Sequence, residues 1–390
     1  TSREQLNCQA EDRFLLTGLT TPIQSDIAHA AQTAAVRLFC DRAYRLTKEF
    51  KLTPQNCGDV VRICQLVEGM PLAIELVTTW LGELDCAGLA AAIAQNLSIL
   101  ATTQRHRPAR HRSMQAVFDY SWQLLTPREQ RTLSLLALCQ GRFSTQIATQ
   151  LTGASLIDLT GLRYKSLLRI AEAGYYDLHP LIRGFAVATL AAATQTQAEE
   201  SVATLYLQQV AAQAVALSGA TPQAALQVIE REQDNVQQAW RWAVAKVRID
   251  LLLQSADALG EYYAASGRNA ECEANFLPLL QQLLAQPVLE QPVADEQRAL
   301  LCLHLLERLA LALTFQTKLT DAQHWAQNLI ALAQRFSNRE FEARGLQRWG
   351  CALDADGKKV AARQKLEAAL VLARQVEQPR LLGSILLELG

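Results

Sequence analysis

Little in this 390-residue sequence breaks a helix: it holds only 11 prolines and 18 glycines. Little charge goes uncompensated, with 37 Lys and Arg against 38 Asp and Glu. A formal net charge of −1 excludes a global pull toward nucleic acid or an anionic membrane, so such binding would need a local patch. No uninterrupted apolar run approaches the roughly 20 residues that cross a bilayer, so no membrane span is expected. The nine cysteines contain no CxxC pair, and none stands with histidine at zinc spacing. An odd number of thiols in apolar helical surroundings fits buried free cysteine in a reducing compartment better than a disulfide frame. No signal peptide is visible, and the cytoplasm is the expected location.

Catalytic motifs are missing as well. No G-x-x-x-x-G-K-[ST] occurs. Gly357-Lys358 is the only Gly-Lys pair, and Ala352 stands where the first glycine of a phosphate loop should be. Without that loop's backbone N–H groups and lysine there is little to hold a triphosphate or Mg2+. Six scattered histidines make no Ser/His/Asp or Cys/His constellation. The chain by itself is expected not to be catalytic.

What remains is helix. Ala, Leu and Gln, which lose little freedom in a helix, dominate the composition. Residues 13–19 read as one short buried strand, ended by Thr20, Thr21 and Pro22. Residues 26–100 read as a helical bundle, with Gly69 closing one helix and Pro71 opening the next. A basic linker follows at 105–112. Thr126-Pro127-Arg128-Glu129 is a helix start, and Ser144 caps a short helix. Residues 169–178 read as a hairpin, and His179-Pro180 opens a further helix. Helices, a two-stranded wing and a last helix suggest a winged-helix domain. Trp240 and Trp242 read as helix-packing residues.

Beyond 196 everything reads as helix, and a repeat emerges. Gly260 is followed by Tyr263, Gly267, Cys272, Phe276 and Leu279. Gly350 is followed at the same offsets by Leu353, Gly357, Ala362, Leu366 and Ala369. Ala310 starts a weaker copy, with Leu313, Ala322, Ala326 and Leu329. These offsets match a tetratricopeptide-like helix pair: small residues where helices A and B approach, bulky ones between. Both ends read as cut through the middle of an element.

The order of these parts resembles the signal-transduction ATPases with numerous domains, the STAND class, and within it bacterial regulators with an NB-ARC-type switch and tetratricopeptide repeats. Four stretches carry the resemblance: Thr1-Ser2-Arg3, Gly69-Met70-Pro71-Leu72-Ala73-Ile74-Glu75-Leu76, Arg112 to Leu125, and Leu178-His179-Pro180-Leu181-Ile182-Arg183. It implies a mostly α chain in five parts. These are a remnant of a nucleotide-binding α/β domain (1–22), a helical subdomain (23–104), a winged helix (105–195), a helical connector (196–250) and truncated repeats (251–390). It further implies that Arg3 reads the γ-phosphate, that Pro71 packs beside the adenine, and that His179 contacts the β-phosphate of ADP. Pro180 stands where the family has Asp. The resemblance also implies that ATP or ADP with Mg2+ would bind the full-length parent, which could be a slow ATPase, and bind this fragment poorly.

A protein or peptide would bind the repeats, the parent could self-assemble, and DNA would be met through an upstream effector. Two other readings stay open: a repeat scaffold with a degenerate switch, and a transcription regulator binding DNA through Leu156–Leu168 of the winged helix.

Overall fold

The computed structural model describes residues 18–22, 27–81, 83–95, 114–219, 221–285, 292–376 and 378–389. The chain divides into two compact units, Thr1–Glu199 and Glu200–Gly390. The anticipated strand at 13–19 falls outside the described residues except for Gly18 and Leu19, and the linker at 105–112 falls outside them entirely.

In the first unit the helices are α1 (Ile27–Ala30), α2 (Ala34–Thr47), α3 (Pro54–Leu66), α4 (Pro71–Thr78), α5 (Cys86–Gln95), α6 (Met114–Gln123) and α7 (Pro127–Leu136). Then come β1 (Phe143–Ser144), α8 (Thr145–Thr152), α9 (Leu156–Tyr164), β2 (Arg169–Glu172), β3 (Tyr175–Asp177) and α10 (Pro180–Ala188). Local chemistry sets the starts. Thr53 with Asn56, Thr126 with Glu129, and Ser155 with Asp158 form reciprocal capping boxes, the first two with Pro at the first helical position. Ser144 Oγ accepts from the Ile147 N–H and starts α8, which Gly153 ends at φ 67°.

The sheet has three strands, not the two-stranded hairpin that the sequence suggests. β3 lies between β1 and β2, antiparallel to both. β1 escapes a sequence reading because two residues carry no alternation; its pairing of Phe143 with Tyr176 and Ser144 with Tyr175 defines it. The apolar faces of α2 to α5 close one core, including Val36, Phe39, Ile63, Ile74 and Leu89. Leu181, from the first turn of α10, is buried in that same core. Phe118 of α6 packs on Phe185 of α10 with ring centroids 3.6 Å apart.

α11 (Ala192–Ala212) carries the chain into the second unit, which continues with α12 (Ala214–Leu217), α13 (Gln223–Arg231), α14 (Gln233–Ala245), α15 (Ile249–Ala265) and α16 (Asn269–Ala285). It ends with α17 (Pro292–Phe315), α18 (Leu319–Arg335), α19 (Arg339–Ala355), α20 (Lys359–Val376) and α21 (Pro379–Leu389). From α15 onward, helix pairs pack on their neighbours in sequence, the pattern of a helical solenoid. The positions read from the repeat are buried, from Tyr263, Cys272 and Phe276 to Leu353, Ala362 and Leu366, except Gly267 and Gly357, which are exposed in turns. Trp240 is buried against Phe276, at 5.2 Å, while Trp242 is half-buried.

One expectation of the repeat needs correcting. Gly350 does serve the A–B approach: a Cβ there would stand 2.7 Å from Leu366 Cγ on α20. Gly260 does not. Its missing side chain makes room for Arg308 of the next A helix, whose Cγ would stand 2.5 Å away.

Candidate functional site

α3 ends in two consecutive left-handed residues, Glu68 at φ 45° and Gly69 at φ 65°. Such a reversal suits glycine and strains glutamate, so the surroundings must hold it. They do. The Leu19 N–H donates to the Gly69 carbonyl at 2.9 Å. A Cβ on Gly69 would lie 2.0 Å from the Leu19 oxygen, and one on Gly18 only 1.9 Å from the Glu68 oxygen. Only two glycines let these backbones approach so closely. Pro71 then starts α4 and is itself exposed.

The turn aims the Glu68 carboxylate at the sheet. Arg169, the first residue of β2, places its guanidinium fork on both oxygens, at 2.6 and 3.2 Å. His179 Nε2 stands 3.4 Å from the same carboxylate. His179 also caps α10: its Nδ1 accepts the Leu181 N–H at 3.1 Å. An accepting Nδ1 carries no proton, so in the neutral ring Nε2 bears it and donates toward Glu68. The chain of charges continues outward. Arg169 also meets Asp177 at 3.2 Å, and Arg183 meets Asp177 at 3.0 Å while donating to the Gln140 carbonyl at 2.6 Å.

Burial pushes the His179 pKa below its ordinary value, helped by Arg169 and Arg183 and opposed by Glu68 and Asp177. The Glu68 contact raises that of Arg169. This is an anion seat with an internal carboxylate in it, held by a guanidinium and an imidazole. It offers neither nucleophile nor metal ligands: among the described residues no group of three or more His, Cys, Asp or Glu could hold a metal ion. Among the described residues, Cys64 and Cys272 are poor nucleophiles, since burial raises both to about 12.

Of the three residues singled out from the sequence, Arg3 lies outside the described residues. Pro71 and His179 start the two helices that flank the Glu68 contact. Glu68 and Arg169 were not singled out. The available signal was a lone acid directly before Gly69-Met70-Pro71; nothing local marked Arg169.

On the other surface read from the sequence, α9, Arg163 lies over the Tyr164 ring at 5.1 Å. Lys165 is paired with Glu129 at 2.9 Å, and Arg128 with Asp158 at 2.8 Å. The start of the helix presents Leu156 and Ile157, the latter 83% exposed.

No family model matches the chain. It is 26% identical over 373 residues to a "Putative HTH-type transcriptional regulator" of Mycobacterium tuberculosis, and equally to one of Mycobacterium bovis, covering 90% of this chain. The chain spans only 40% of the length of those relatives. An uncharacterized protein of Mycobacterium bovis is 30% identical over 138 residues, 35% of this chain and 34% of that protein. Among solved structures, a STAND protein with a tetratricopeptide repeat sensor from Pyrococcus horikoshii matches 91% of this chain and 56% of its own. Its identity is 15% and its TM-score 0.28, too low to argue from.

Proposed function

We propose that this chain is the regulatory part of a nucleotide-dependent signalling switch of the STAND type. In this reading α2 to α5 are the helical subdomain, α6 to α10 with the sheet are a winged helix, and the solenoid is a tetratricopeptide-like sensor for a protein or peptide. The nucleotide, ATP or ADP with Mg2+, would be cradled mainly by a phosphate loop outside these 390 residues, with Arg3, Pro71 and His179 contributing from within them. Nucleotide state would set how the winged helix packs on the helical subdomain, and a ligand on the solenoid would bias that equilibrium.

One observation carries the reading: His179 and Arg169 converge on a carboxylate three residues before Pro71. Two of the three residues read as nucleotide contacts, Pro71 and His179, thus flank one seat fit for an anion. The test is calorimetry of the longer protein with ADP. Binding should be measurable, and His179→Ala should weaken it roughly tenfold, the worth of one charge-assisted hydrogen bond. Absence of any ADP binding would leave only a repeat scaffold.

The name of the mycobacterial relatives favours a second reading, DNA binding. Against it stand the paired basic residues around α9 and its apolar exposed start. A salt-dependent shift of duplex DNA by this chain would support it.

A further inference from the structure

We propose that Glu68 is a mechanical latch: by gripping Arg169 and His179 it ties the three-stranded sheet and the start of α10 to the Gly18–Leu19 segment. The inference does not depend on nucleotide binding, and its test uses none.

The wiring is continuous. On one side, the Glu68 carboxylate is held by Arg169 of β2 and faces His179 at the cap of α10. On the other side, the backbone of the same residue lies so close to Gly18 that no side chain fits there. The next residue, Gly69, accepts the Leu19 N–H. Thr20 extends the tie, since its carbonyl accepts from the Ala35 N–H at the start of α2 at 3.1 Å. Glu68 therefore joins the two contacts through one residue, its carboxylate on Arg169 and its left-handed backbone against Gly18.

The strength of the latch fits a contact that opens. Glu68 and Arg169 are one-third and two-fifths exposed, so their ion pair is screened and contributes little to stability. The bidentate geometry gives direction rather than energy. Freed of Glu68, Arg169 still has Asp177 and His179 still caps α10, so the sheet stays folded when the latch opens.

Hydrogen exchange on the 390-residue chain, resolved to single amides, tests this. Glu68→Gln and Arg169→Gln should each speed exchange of the Leu19 amide, by up to roughly fivefold for a loss of about one weak ion pair. Amides inside α2 and α3 should not change. Coupling is reciprocal, so Gly18→Ala should in turn speed exchange at the amides of β2 and β3. An unmoved Leu19 amide in both single variants would overturn the proposal. So would a uniform rise across α2 and α3, which means general destabilisation.

Discussion

Both units join neighbouring elements by an arginine fork on a carboxylate, yet they set it in opposite surroundings. In the first unit Glu68 and Arg169 meet at a half-exposed seam, with a histidine beside them. In the second, Arg308 of α17 is 4% exposed; it grips the part-exposed Asp257 and Glu261 of α15 at 2.6 and 2.8 Å and the buried Glu307 at 3.0 Å. Glu307, 1% exposed, accepts from Arg348 Nε of α19 at 2.6 Å. The second arrangement repeats: Arg348 follows Arg308 by 40 residues, each reaching back to the acid three places before the small residue of the preceding repeat. At the next interface the acid is replaced by Gln347, which bonds Ser384 at 3.0 Å. A pair that has lost its water cannot be broken cheaply, whereas one that keeps it can. The solenoid's pairs therefore fix register between repeats, and the seam's pair is free to exchange partners.

The largest expected effect follows from that burial. Arg308→Ala empties the space that Gly260 leaves and strips Asp257 and Glu261 of their partner. It should cost up to about 3–5 kcal/mol, the figure for breaking a buried pair, less what the part-exposed Asp257 and Glu261 regain from water. Glu68→Gln should cost less than about 1 kcal/mol. Native-state hydrogen exchange in urea, read on α17 and on α4 respectively, compares the two. Equal losses would erase the distinction between staple and seam.

Packing in the solenoid should be nearly as intolerant as its charges. Gly350→Ala puts a methyl 2.7 Å from Leu366 Cγ and 3.3 Å from the Ala362 carbonyl. Overpacking of this kind costs about 1–3 kcal/mol, offset by up to about 1 kcal/mol of better helix propensity. A net loss of about 1–2 kcal/mol in urea unfolding is expected. A gain in stability would show that α19 and α20 have slack, and that the charges alone hold register.

The same contrast governs what the sequence could reveal. The solenoid was legible because each packing position recurs, so a weak signal at Gly260 is reinforced at Gly350. The recurrence even extends to the A–B turn: Gly267 and Gly357 take φ 70° and 76°, and Thr317 adopts φ 59° at the same offset. The partner of Gly260 was misassigned because spacing marks a close approach without saying what approaches. Capped starts such as Thr126 with Glu129 were also legible, since the whole device lies within four residues. The seam was only half legible. Pro71 and His179 stand in recognisable local motifs, but Glu68 and Arg169 are 101 residues apart and meet through tertiary structure alone. β1 was missed for the same reason, being a strand only by virtue of its partner.

Acidification should reach the seam before it reaches the staples. Burial raises Glu307, but Arg308, Arg348 and Arg344 outweigh it and hold the carboxyl down at about 2. Its contribution is therefore complete above the ordinary 4.5 and lost only as pH falls from there through about 2. His179 is also depressed, below an ordinary 6.5, so its contribution is present above 6.5 and lost as pH falls through the lowered folded value. A proton on His179 gains attraction from Glu68 and Asp177. Against that it must be buried beside Arg169 and Arg183. It also occupies Nδ1, which then cannot accept the Leu181 N–H, so the cap of α10 is lost. Exchange of the Leu181 amide, corrected for the intrinsic effect of pH, should accelerate below about 6.5 while amides of α17 hold until about 4.5. If both regions loosen together, the histidine is not what distinguishes the seam, and its sensitivity to acid belongs to the carboxylates alone.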